Sequence, residues 1–195
     1  AVLVEPMIGA GGCIPANRKF LESLRKATQI NGTILIFDEV MTSRLTAGGL
    51  MGFHKLMPDL ATFGKYLGGG LTFGAFGGRA DIMDNFDPKR NNSWGHAGTF
   101  NNNILSMSAG FTGINKVFTP KVSDEFFITG NLFRESIKKD ISSLKLPIQI
   151  TGLGSMIAFH FSKSLPLSPY NLDSKQKVLL ELIHLDMLEK GQFYA

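Results

Sequence analysis

The 195-residue chain contains one cysteine, one tryptophan and three tyrosines. The lone Cys13 cannot close an internal disulfide, so a disulfide-stapled secreted scaffold is excluded and a reducing, cytoplasmic setting is the expectation. Long apolar runs are missing too. The longest clean ones, such as Ala1 to Val4 and Ile34 to Phe37, have four residues, far short of the ~18 that a membrane-spanning helix needs. No membrane partner is expected. Charge is sparse, with 20 Lys and Arg against 16 Asp and Glu. The basic residues are scattered, with pairs such as Lys89-Arg90 and Lys138-Lys139, and no basic stripe interleaves with aromatics, so no nucleic-acid partner is expected. His54, His160 and His184 have no metal-like spacing and read as structural. Gly152-Leu153-Gly154 lacks the third glycine of a dinucleotide fingerprint, and no Gly-Lys-Ser/Thr phosphate loop is present. The chain also lacks an initial Met, opening inside an apolar run and stopping at Phe193-Tyr194-Ala195 as another begins. An internal fragment of a longer polypeptide is the expectation.

What is there is a core and a rhythm. At 44% hydrophobic residues the chain can bury a core. Short β-branched or aromatic runs alternate with helical patterns, which predicts an α/β fold on a mostly parallel sheet. Ala1 to Val4 reads as a strand. Pro15 is predicted to open a helix with Phe20, Leu21, Leu24 and Ala27 on its apolar side, closed by Asn31-Gly32. Thr33 to Phe37 and Leu60 to Phe63 read as further buried strands, and Leu71 to Phe76, between Gly68-Gly69-Gly70 and Gly77-Gly78, as a fourth. Such glycine density fits backbone that passes close to something or adopts positive φ. Ile104 to Val117 reads as a small-residue helix. Beyond Pro120 an amphipathic helix carries Phe126, Leu132, Phe133 and Ile137 on one face; strands at 148–150 and 156–161, a Pro/Ser loop from Ser164 to Asp173, and a last helix from Lys177 to Glu189 follow. A domain boundary is predicted near Thr119-Pro120.

Ligand-binding groups in open α/β sheets collect at the carboxyl ends of parallel strands. Those ends carry Glu5, Asp38-Glu39 and Lys65. A carboxylate at the end of an apolar strand is costly to desolvate and needs a permanent partner. Asp38 then reads as a helix cap, an ion-pair partner or a ligand contact. Lys65 reads as a surface residue or as an amine directed into a cleft, where desolvation would make it a nucleophile able to form a Schiff base. One cofactor, pyridoxal 5′-phosphate (PLP), wants both residues: a lysine to bind covalently, and an acid to keep its ring nitrogen protonated.

Ile34-Leu35-Ile36-Phe37-Asp38-Glu39-Val40-Met41-Thr42, Thr62-Phe63-Gly64-Lys65 with the triple glycine, Gly74-Ala75-Phe76-Gly77-Gly78-Arg79, and His96-Ala97-Gly98-Thr99 occur in that order. Together they resemble the class III (subgroup II) PLP-dependent aminotransferases of fold type I, over essentially the whole chain. Within the class the resemblance is to glutamate-1-semialdehyde 2,1-aminomutases and to β-amino-acid (β-phenylalanine) aminotransferases; Ser43-Arg44, Thr72 to Phe76 and Thr99 to Asn103 favour the second. The resemblance implies residues 1–119 as a partial large PLP-binding domain and 120–195 as a partial small α+β domain. It implies Lys65 as the Schiff-base lysine and general acid/base, Asp38 as partner of the pyridinium nitrogen, and Val40 against one ring face. It also implies a homodimer in which Thr99 reaches the phosphate of the other subunit's cofactor, with amino-acid and oxo-acid substrates.

Thr99 also suits a plain N-cap before the Ile104 helix, and His96 either lines an entrance or is a hydrogen-bonded loop residue. One departure narrows the class. Many ω-aminotransferases carry a Glu after the Glu-Pro-x-x-Gly turn, where this chain has Ala10, so an ornithine- or γ-aminobutyrate-type gate cannot form. The phosphate loop, the ring-stacking aromatic and the carboxylate-binding arginines of the class fall outside residues 1–195. Three outcomes therefore stand: an aminotransferase, an aminomutase, or a truncated polypeptide without activity.

Overall fold

The computed structural model describes residues 1–172 and 175–193. Asp173, where the expected Pro/Ser loop ends, and Tyr194-Ala195 lie outside the described residues. In chain order the elements are β1 (Val2–Val4), β2 (Met7–Ile8), β3 (Ile14–Pro15), α1 (Arg18–Ile30), β4 (Leu35–Asp38), α2 (Gly49–His54), β5 (Leu60–Gly64), β6 (Gly74–Gly78), α3 (Ala80–Met83), α4 (Ile104–Thr112), α5 (Pro120–Ser143), β7 (Ile148–Leu153), β8 (Met156–Phe161) and α6 (Gln176–Glu189). Two compact units result: Ala1–Met7 with Ala16–Phe127, and Ile8–Pro15 with Ile128–Ala195. Pro120 opens α5, and the division between units falls inside that helix.

The first unit is built on a four-stranded sheet in the order β1-β4-β5-β6. The first three strands are parallel and β6 is antiparallel, in registers that set Val4 beside Phe37, Asp38 beside Thr62, and Thr62 beside Phe76. Helix α1 makes the crossover that a parallel β1–β4 pair requires. It starts at Arg18 and not at Pro15, because Ile14-Pro15 is extended and the Asn17 side chain takes the cap, accepting from Lys19 N at 2.8 Å. Asn31 closes it, donating its backbone N–H to Ala27 O. Leu21 packs with Leu35, Phe37 and Leu56 in the core, with Val2, Val4, Leu24 and Met51 around them. Each such buried side chain contributes roughly 1.5–3 kcal/mol. Alternation along β4 therefore commits Leu35 and Phe37 to the core and turns Ile36 and Asp38 to the other face.

Some boundaries differ from expectation. Leu71 ends a turn, its N–H bonding Gly68 O, residues 72–73 are irregular, and the strand starts at Gly74. Helix α4 ends at Thr112 and continues as a wider π turn to Val117. The expected apolar face of α5 exists but is not buried: Leu132 and Phe133 are exposed, and Phe126 is exposed apart from a ring contact with Phe118 at 6.1 Å. Helix α2 was not foreseen; its six residues are too few to show a period.

In the second unit β7 and β8 form an antiparallel hairpin, Ile148 opposite Phe161 through Leu153 opposite Met156. Gly152-Leu153-Gly154 is thus hairpin backbone. His160, fully buried, lies 2.7 Å from Thr151 Oγ1 and 3.2 Å from Gly12 O through Nε2, and 3.4 Å from Gln176 Nε2 through Nδ1. Burial pushes its pKa below the usual value, against the opposing pull of Gly12 O and Gln176. Among the described residues no helix is long and apolar enough to cross a membrane.

Candidate active site

The carboxyl ends of β4 and β5 bring three of the expected site residues together. Asp38 ends β4, half-buried, and its Oδ1 accepts from Val40 N at 3.0 Å. This local turn sets the carboxylate on the face away from the core; its second oxygen has no hydrogen-bond partner among the described residues. On the neighbouring strand Thr62 stands beside it, and Lys65 follows three positions later, directly after β5. Val40 leans toward the same place, its Cγ1 at 3.4 Å from where a side chain on Gly64 would begin. Lys65 is exposed, has no carboxylate within ion-pair reach among the described residues, and holds φ at +52°. A positive φ costs a non-glycine residue about 1 kcal/mol or more, and such strain concentrates at functional positions.

The two carboxylates at this strand end have different duties. Glu39 is fully buried and accepts from Thr42 Oγ1, from Leu50 N at 3.1 Å and from Met51 N at 2.7 Å, while its own N–H donates to Thr62 O at 3.0 Å. It ties the β4 end to α2 and to β5. Gly49 lets α2 approach: φ is +63°, and a Cβ there would stand 3.0 Å from the Glu39 oxygens. Asp38, by contrast, spends only one carboxylate oxygen on the protein among the described residues.

Asp59, at the β5 entrance, is a second buried anchor. It accepts from Leu35 N at 2.7 Å, Arg25 at 3.0 Å and Arg79 at 3.0 Å. Burial alone would raise its pKa, but these three donors outweigh it and bring the carboxyl down to about 2. The sequence places Glu39 at this strand end but without its anchoring role, and Asp59 and Thr62 were not foreseen as contributors here. The Pro58-Asp59 turn was a visible signal for one; nothing local to the sequence marks the partners of the others.

The glycines after Lys65 have a structural cause. In the 3₁₀ turn Lys65–Gly68 and its continuation, Gly69 takes φ +59°, and a Cβ on it would overlap the Ala109 carbonyl of α4. The close approach that the glycine density implied is thus to a helix. Tyr66, Gly69, Gly70, Ala109, Thr112 and Phe118 line part of an open cavity of about 730 Å³ at this turn.

Thr99 is in an exposed segment, and no hydrogen bond joins it to Asp38, Val40 or Lys65 among the described residues. It is not the N-cap of α4. Asn103 takes that place, accepting from Leu105 N and Ser106 N. His96 packs edge-on against Phe76 at 5.4 Å and Phe86 at 6.1 Å, and Trp94 against Phe86 at 5.5 Å.

A parallel α/β sheet with an antiparallel edge, an acid ending one strand and a lysine just past its neighbour, is the arrangement of a fold type I aminotransferase domain, present here in part. The chain belongs to the class-III aminotransferase family, whose profile matches residues 1–185. A β-phenylalanine transaminase of Variovorax paradoxus is 43% identical over 97% of this chain and 43% of its own length. The solved structure of a β-phenylalanine aminotransferase from that organism superposes with a TM-score of 0.96 at 41% identity, covering 100% of this chain and 45% of that one. A glutamate-1-semialdehyde 2,1-aminomutase of Staphylococcus haemolyticus is 37% identical over 98% of this chain and 44% of its own length. A solved transaminase with PLP bound superposes with a TM-score of 0.86 at 28% identity, covering 100% and 45% respectively. The chain thus spans less than half the length of the curated relatives it matches.

Proposed function

We propose that this chain carries the lysine and acid of a PLP-dependent aminotransferase, which moves an amino group from an amino acid, of the β-amino-acid type, to an oxo acid. The observation that carries this reading is the juxtaposition of Asp38 and Lys65 on adjacent strand ends, in a family of that activity.

The residues present fit the cofactor. Asp38 offers an unshared carboxylate oxygen for a protonated ring nitrogen, Val40 a branched aliphatic surface for a ring face, and Lys65 an unpaired amine for covalent attachment. When bound, the cofactor supplies an electron sink for the bonds at the substrate's amine-bearing carbon. The protein supplies the rest. Lys65 Nζ would hold the cofactor and, as a free amine, would serve as the general base and acid that takes and returns a proton. Its position after an extended glycine, ahead of a tight turn, limits the arc the amine sweeps. The Asp38 carboxylate would face the cationic ring nitrogen, and Glu39 holds the backbone of that strand end in place. Thr99, exposed on its loop, is available to the phosphate of a second copy's cofactor, in a homodimer. The domain reading, a large cofactor domain to residue 119 and a small domain from 120, belongs to the same proposal.

The test uses the complete polypeptide that carries these residues. Visible absorbance of a lysine-bound cofactor, lost in Lys65→Ala together with turnover, is the expected result; Lys65→Ala retaining both refutes it. Turnover of β-phenylalanine with 2-oxoglutarate separates the aminotransferase from an aminomutase, which would consume glutamate 1-semialdehyde alone. No cofactor signal at all would leave the truncated, inactive reading.

A further inference from the structure

Thr62 carries a hydroxyl that its strand position does not require, since valine is as well suited to a strand. Its side chain shares one face of the sheet with Asp38 on one side and Phe76 on the other, as the ladder registers require. The Thr62 Oγ1 atom is buried and has no hydrogen-bond partner among the described residues. Valine has the same shape and would fill the position without the cost of desolvating a hydroxyl. Within the row the polar neighbour is Asp38, whose Oδ1 accepts from Val40 N and whose other oxygen has no hydrogen-bond partner among the described residues. The relative position of the two side chains is fixed, because Glu39 N–H bonds Thr62 O at 3.0 Å and prevents a slip between the strands.

We propose that Thr62 is a positioning residue: its hydroxyl turns about χ1 to donate to the other oxygen of Asp38, directly or through one water, and so sets the orientation of the carboxylate toward the ring nitrogen of a bound cofactor. This rests on the functional reading above and deepens it. A donor beside a carboxylate stabilises its ionised form. The pairing is charge-assisted, so its loss is felt in cofactor affinity more than in folding. Thr62 does not touch the reacting atoms; it acts through Asp38.

The experiment compares Thr62→Val, Thr62→Ala and Thr62→Ser in the complete polypeptide, by PLP dissociation constant, pH midpoint of the lysine-bound absorbance, and thermal melting. Both hydroxyl-free variants are expected to weaken PLP binding about tenfold, the worth of one hydrogen bond to a charged acceptor, and to move the pH midpoint of the absorbance. Melting of the cofactor-free Val variant should be unchanged or raised. Serine should restore affinity to within about twofold, since it keeps the donor. PLP affinity and pH midpoint unchanged in both Val and Ala, or a Ser variant as weak as Val, overturns the role of Thr62. An unsubstituted protein without Lys65-dependent absorbance overturns the functional reading and this role together, whereas normal absorbance with unaltered Val and Ala variants overturns this role alone.

Discussion

Replacing Asp59 by alanine tests how the entrance of β5 is held. In the folded chain this carboxylate, 7% exposed, accepts from Leu35 N and from Arg25, itself 14% exposed, and from Arg79, which is 52% exposed. The Arg79 bond is largely solvated and contributes little. Removing the carboxylate leaves the Leu35 N–H without its acceptor and the nearly buried Arg25 guanidinium with only a long bond to Met57 O at 3.5 Å, a loss of about 3–5 kcal/mol at pH 7. The pH dependence gives an independent check. The Asp59 carboxyl ionises at about 2 when folded and near 3.8 when unfolded, a difference equivalent to roughly 2 kcal/mol. Because the folded value is the lower, this stabilisation is complete above the unfolded value and is lost as the pH falls from about 4 toward 2. Urea unfolding followed by far-ultraviolet circular dichroism should show a gap between the unsubstituted chain and Asp59→Ala that is constant from pH 7 to 5 and narrows by about 2 kcal/mol at the acid end. A gap below about 1 kcal/mol at pH 7, or one that does not narrow, would refute the three-donor account.

Two further outcomes follow from buried groups. Glu39→Ala leaves the Thr42 hydroxyl and the Leu50 and Met51 amides without their acceptor; a loss of about 3 kcal/mol or more is expected in urea unfolding, with Glu39→Gln losing less. His160 titrates below its usual value when folded, so its contribution is full above pH 6.5 and falls on acidification. Thermal melting between pH 7.5 and 5 should show this drop in the unsubstituted chain and a shallower one in His160→Gln. Equal slopes would remove His160 from the acid response.

Where an element depends on local pattern, the sequence reads it well. The apolar strands at β1, β4 and β5, the Asn31-Gly32 stop of α1 and the β8 span of 156–161 follow from runs, periods and turn residues that act within a few positions. The β6 start and the α1 start slipped because they turn on competing hydrogen bonds: Leu71 with Gly68, and the Asn17 cap with Lys19. The apolar stripe of α5 was legible, but its burial was not, since that depends on what packs against it.

The sequence by itself determined that an acid ends one buried strand and that a lysine leaves another into a glycine-rich turn. Strand alternation and composition are enough for that, because they are properties of neighbouring residues. Only the tertiary structure decided that these two strands are adjacent and in register, with Asp38 beside Thr62. It alone separated Glu39, consumed by α2, from Asp38, left open at the sheet face. It also assigned the Gly69 approach to α4. Each of these is a matter of which distant groups meet a given polar atom, and hydrogen-bond partners across 11 to 24 positions of chain, as for Glu39 with Leu50 and Asp59 with Leu35, leave no periodic trace in the sequence.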